Sequence, residues 1–90
     1  MREIILDIET SGLEYKEGHR VIEIGCIELD KKEVVGHYHQ YINPLKTLTD
    51  DNIKIHGITN DFLEDKPLFE EIANNFLEFI KDSSIIAHNA

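Results

Sequence analysis

The sequence predicts a small α/β domain of the α+β kind, with its elements in the order β-β-β-α-β. Three observations carry that expectation. Three apolar segments in the first half have the length and composition of strands. One later segment repeats its apolar residues at helical spacing, and a short apolar run follows it near the C-terminus. A composition of 41% hydrophobic and 30% charged residues is that of a globular chain and not a disordered one. A domain of this length buries only about 60% of its unfolded surface, so it is expected to be marginally stable unless something covers it.

The first strand is expected from Glu3 to Glu9, where Ile4-Ile5-Leu6 and Ile8 form a nearly continuous apolar run suited to burial on both faces. Thr10-Ser11-Gly12 ends it with turn chemistry. The second strand runs from Val21 to Leu29, with Ile22, Ile24 and Cys26 on one face and Glu23 and Gly25 on the other. Asp30-Lys31-Lys32-Glu33 is a polar hairpin connection to a third strand at about Val34 to Ile42, closed by Asn43-Pro44. Thr49 to Gly57 reads as a short helix, with Thr49 as N-cap and Gly57 just past the end. Pro67 fits the first turn of a longer helix, whose Phe69, Ile72, Ala73, Phe76, Leu77 and Ile80 form a core-facing stripe. Ser84 to Ala87 is a last short strand, followed by His88-Asn89-Ala90. Sequential strands with short turns predict an antiparallel meander, and the helix returns the chain to a strand parallel to the first. That helix covers one face of the sheet and nothing in the sequence covers the other, so the chain reads as unfinished.

Bulk properties remove several function classes. There is no run of 18 apolar residues to span a membrane, and Met1-Arg2-Glu3-Ile4 does not open a signal peptide. The single cysteine, Cys26, lies in an apolar run and reads as a small buried hydrophobe, which leaves the cytoplasm as the default compartment. With 18 acidic and 9 basic residues, the net charge of −9 argues against a protein that grips nucleic acid by a basic stripe. An acidic surplus does suit a site for divalent cations, which then reach phosphates on the protein's behalf.

Asp7 and Glu9 lie two apart at the end of the first strand, so both leave the same face while Ile8 enters the opposite layer. Two such carboxylates repel unless a cation sits between them. Hard oxygen ligands on a rigid strand suit Mg²⁺ or Mn²⁺, and such a pair is half of a two-metal site. Taken alone, Asp-x-Glu is a common pattern, more often a solvated strand end than a metal centre.

The full string Leu6-Asp7-Ile8-Glu9-Thr10-Ser11-Gly12 resembles the first motif of the DnaQ-like exonucleases, the DEDD superfamily, whose sites carry four acidic residues. Glu17-Gly18-His19-Arg20-Val21-Ile22-Glu23-Ile24-Gly25 is similar to the second strand of that family. His56-Gly57-Ile58-Thr59 resembles its substrate-side loop, and Asp61 to Pro67 its next segment. The pattern is closest to the proofreading epsilon subunits of bacterial DNA polymerase III. The resemblance implies a ribonuclease H-like exonuclease fold, of which residues 1–90 would be the N-terminal half of a single domain. It implies Asp7 and Glu9 as catalytic metal ligands that also meet substrate, with two Mg²⁺ or Mn²⁺ ions in the complete site. Thr10, His56 and, less directly, Asp51 would contact the 3′-terminal nucleotide. Glu23 stays open between a site residue and a solvated strand position, while His19, His37 and His39 read as structural or solvent-facing. His88-Asn89-Ala90 resembles the opening of the second motif, which in the family continues into an aspartate; a later motif supplies a histidine and a further aspartate.

The implied reaction is 3′→5′ hydrolysis of phosphodiesters at a frayed single-stranded DNA 3′ end, releasing nucleoside monophosphates. The isolated chain is expected to be inactive or nearly so. Implied partners are the DNA 3′ end, a DNA polymerase catalytic subunit, and a complementary C-terminal fragment or a second copy; no membrane is implied. Three readings stand beside this one: an exoribonuclease of the same superfamily, a non-catalytic remnant that acts as a binding module, and an acidic scaffold without metal chemistry.

Overall fold

The computed structural model describes residues 2–10, 21–45, 48, 53–54 and 57–88, with residue 88 described for its backbone alone. Strands β1 (Arg2–Thr10), β2 (Val21–Asp30) and β3 (Glu33–Tyr41) form the antiparallel meander that the alternation predicts. The β2–β3 hairpin turns through Lys31 and Lys32, both at positive φ (52° and 67°). That is the conformation whose twist matches the flanking strands, although Asn and Gly adopt it at lower cost than lysine. Strand β4 (Ser84–His88) pairs parallel to β1, with Glu3 opposite Ser84 and Asp7 opposite His88, giving the order β3-β2-β1-β4. The chain returns to β1 as expected because a crossover helix precedes β4.

Two helices lie wholly within the described residues, α1 (Asn60–Leu63) and α2 (Phe69–Ile80). α1 was not anticipated, since four residues are too few to show a period. It is held instead by local bonds: Thr59 Oγ1 accepts from the Phe62 amide at 3.2 Å, and Leu63 is buried. α2 starts two residues later than the placement of Pro67 in its first turn implied. The Pro67 carbonyl accepts the Asn43 amide at 2.9 Å, and Leu68 stays extended at φ −75°, ψ 155°. The Leu68 amide donates to Glu71 Oε1 at 2.8 Å, so a side chain from the first turn satisfies the entry to the helix. Of the predicted helix at Thr49–Gly57, Ile53 and Lys54 are helical and the Gly57 amide donates to the Ile53 carbonyl at 2.6 Å. Gly57 takes φ 74° there, a left-handed value natural to glycine past a helix end. The Thr49 cap lies outside the described residues.

The main core lies between the sheet and α2. Ile4, Ile24, Cys26, Ile42 and Ile72 are buried together, with Leu6, Phe76, Phe79 and Ile80 packed against them. Each fully buried side chain of this kind contributes about 1.5–3 kcal/mol. The stripe on α2 is turned relative to the expectation. Phe69 and Leu77 lie exposed at its edges, while Phe79, omitted from the predicted stripe, packs on the core with its ring 5.5 Å from that of Tyr38. Cys26 is buried as expected, and burial pushes its thiol pKa up. A second cluster of Ile22, Leu48 and Leu63, flanked by Tyr41, Ile53 and Ile58, anchors the connection between β3 and α2. Arg2 ties the end of α2 to the sheet, donating to the carbonyls of Phe79 (2.5 Å) and Lys81 (2.7 Å) while pairing with Glu28. On the far face of the sheet Ile27 and Ile86 remain 44% and 46% exposed, so the described residues leave that face open. Among the described residues, no helix is long and apolar enough to cross a membrane.

Candidate functional site

Alternation along β1 sends Ile4 and Leu6 toward α2, and therefore Ile5, Asp7 and Glu9 toward the open face. β1 is an inner strand of the sheet. Asp7 stands between Gly25 on β2 and His88 on β4, and Glu9 lies opposite Glu23 on β2. The structure thus brings Asp7 and Glu9 to one face, as the two-residue spacing predicts. Among the described residues, Asp7 Oδ1 is buried with no hydrogen-bond partner. A buried, unsatisfied carboxylate oxygen costs about 1–3 kcal/mol or more, a penalty that a coordinated cation removes. Asp7 and Glu9 pair with no described Lys, Arg or His. These donors fit a hard divalent cation. They do not complete its shell: among the described residues no three His, Cys, Asp or Glu side chains converge on one point.

Beside this pair is an array that sequence reading did not assemble. Glu23 Oε2 lies 2.5 Å from His39 Nε2, and the Tyr41 hydroxyl donates to the same carboxylate. The charge on Glu23 pushes the Tyr41 phenol above its ordinary pKa, with smaller contributions from burial and from that hydrogen bond. Tyr41 meets His39 and Phe62 edge to face, each at 4.7 Å between centroids, and Lys66 Nζ sits 4.5 Å from the centre of the Phe62 ring. Tyr41, Phe62 and residues Gly57 to Thr59 line an open groove of about 350 Å³. His39, read from sequence as structural or solvent-facing, is exposed and pairs with Glu23; His37 is exposed as well. The available signal was parity: Glu23 shares a face with Gly25, and His39 with Tyr41. Only the β2–β3 register, with Tyr41 opposite Glu23 and His39 opposite Gly25, turns parity into contact.

Thr10 sits one position beyond a register shift between Glu9 and Thr10, where the pairing moves to Val21. Such an irregularity re-aims the strand end. Asp51, His56 and Asn89, the other proposed substrate and second-motif positions, lie outside the described residues, as does His19. His88 closes β4 with its backbone beside Asp7.

The family model described as "Exonuclease", that of RNase T, matches residues 4–90, and the chain belongs to the RNase T/DnaQ exonuclease family. Its sequence is 57% identical over 91 residues to DNA polymerase III subunit epsilon of Rickettsia typhi, a match covering 100% of this chain and 40% of that protein. The chain therefore spans about 40% of the length of that curated relative. Among solved structures, the nuclease domain of 3′hExo, a DEDDh family member bound to rAMP, superposes with a TM-score of 0.76 at 21% identity, covering 98% of this chain and 50% of that one. Exonuclease X in complex with 5′ overhanging duplex DNA gives 0.76 at 24% identity, covering 96% and 48%. At these identities the structural likeness concerns the fold, which is the exonuclease fold predicted above.

Proposed function

We propose that residues 1–90 form the N-terminal part of one proofreading-type exonuclease domain and supply the Asp7–Glu9 half of its catalytic centre. The observation that carries this reading is the buried Oδ1 of Asp7, unpartnered among the described residues, on a strand whose neighbouring carboxylate, Glu9, shares the same face. Family membership and the epsilon-type relative support it. The substrate is the single-stranded 3′ end of DNA, and the product a nucleoside monophosphate. Two Mg²⁺ or Mn²⁺ ions, when bound, would acidify a water and stabilise charge on the phosphodiester. Asp7 and Glu9 would hold those ions. Thr10, with His56 and Asp51, orients the terminal nucleotide. The chain covers 40% of its epsilon-type relative, and the remaining two carboxylates and the histidine that would take the water's proton belong to the family's later motifs. The second motif begins at His88 and Asn89. We place the domain in the cytoplasm, beside a DNA polymerase catalytic subunit.

Two measurements test this. Calorimetric titration of the chain with Mn²⁺ should give heat that Asp7→Ala abolishes. Fusing the chain to the C-terminal region of the Rickettsia typhi protein should yield Mn²⁺-dependent release of nucleotides from single-stranded DNA, lost again on Asp7→Ala. The chain alone should release nothing measurable, since losing members of such a unit costs several powers of ten. A fusion that retains full activity with Ala at position 7 refutes the assignment, and preference for an RNA oligonucleotide converts it to an exoribonuclease.

A further inference from the structure

We infer that Glu23 is a carboxylate held out of the cation site, and that His39 and Tyr41 are the positioning residues that hold it there. The inference rests on the reading of Asp7 and Glu9 as cation ligands. The β1–β2 register sets Glu23 directly opposite Glu9 on the same face. Directly opposed residues have their Cβ atoms about 4.5–5.5 Å apart, so a free glutamate here reaches any cation bound by Glu9. It is not free. Its Oε2 lies 2.5 Å from His39 Nε2, and Tyr41, opposite it in the β2–β3 register, engages the carboxylate from the same strand. Both partners stand on β3, and the order β3-β2-β1 puts them on the side of β2 away from Glu9.

The surroundings maintain this geometry. Tyr41 is wedged edge to face between His39 and Phe62. Gly25 opposes both Asp7 and His39 in the sheet and places no side chain between them. The chemical consequence concerns coordination number. Mg²⁺ keeps several waters and binds through one or two carboxylates plus substrate phosphate. A third carboxylate entering from β2 fills a position that water or phosphate needs. Held against β3, Glu23 contributes negative potential without occupying that position.

The test is Mn²⁺ titration of the 90-residue chain, with free ion followed by electron paramagnetic resonance and bound waters by water-proton relaxation. His39→Ala should tighten Mn²⁺ binding by roughly three- to tenfold, the scale of one added partly exposed carboxylate. It should also lower the relaxation enhancement per bound ion, because Glu23 replaces a water. His39→Gln, which keeps a donor, should restore both values, and His39→Ala combined with Glu23→Gln should match Glu23→Gln alone. Tyr41→Phe should move both readings the same way by less, and it serves if His39→Ala fails to fold. Mn²⁺ binding that depends on Asp7 but ignores His39 and Tyr41, or changes equally with Gln at position 23, overturns this inference alone. No Mn²⁺ binding at all overturns the parent reading and this one with it.

Discussion

Replacing Asp7 with asparagine should stabilise the metal-free protein and abolish its stabilisation by metal. The side chain keeps its shape and loses its charge. In the absence of a cation, Asp7 Oδ1 is buried without a donor, a state costing about 1–3 kcal/mol for a neutral group and more for a charged one. Asparagine retains a buried oxygen, so only part of that cost is recovered, and about 1 kcal/mol is the expected gain. For a domain of 60–100 residues this corresponds to about 4–8 °C in melting temperature. With Mn²⁺ at 100 times its dissociation constant, the wild type should gain about 2.7 kcal/mol by mass action, and the variant little. The two stabilities should therefore cross between EDTA and saturating Mn²⁺. Urea unfolding followed by far-ultraviolet circular dichroism, with the slope checked for constancy, measures both limbs. An Asp7→Asn protein less stable than wild type in EDTA, or a wild type indifferent to Mn²⁺, would refute the claim that this oxygen awaits a cation.

Further outcomes follow from the fold. Ile4→Ala, at a fully buried position, should cost about 2–5 kcal/mol and remove the cooperative thermal transition from a domain this small. Arg2→Met should cost about 2 kcal/mol in urea unfolding, because it frees the last carbonyls of α2 and leaves Glu28 without its partner. Lys31→Asn with Lys32→Gly should raise stability by about 1 kcal/mol, since both positions hold positive φ. Tyr41 has its folded pKa raised by Glu23, so the native state retains a proton that the unfolded chain releases. Its contribution is fully present below the unfolded phenol pKa and is lost as pH rises through the folded value. In an absorbance titration at alkaline pH, Glu23→Gln should make one tyrosine ionise earlier.

The strands, their meander and the parallel return of the last one were legible in the sequence, because period-two alternation and turn residues act over a few neighbours. The two-residue spacing of Asp7 and Glu9 fixed their common face for the same reason. Cys26 was legible too, as a small apolar residue inside a buried run. The start of α2 was not, because the Pro67 carbonyl is claimed by Asn43, 24 positions earlier in the chain. Nor was the turn of its stripe, which puts Phe79 inward and Leu77 outward according to the sheet it meets. The site divides along the same line. Asp7 and Glu9 depend on one strand, whereas the clamp on Glu23 depends on His39 and Tyr41 sixteen and eighteen residues away. Local periodicity decides which face a side chain leaves by. Which partner it finds there depends on strand register and on the elements packed around it, and those are set only when the whole sheet has formed.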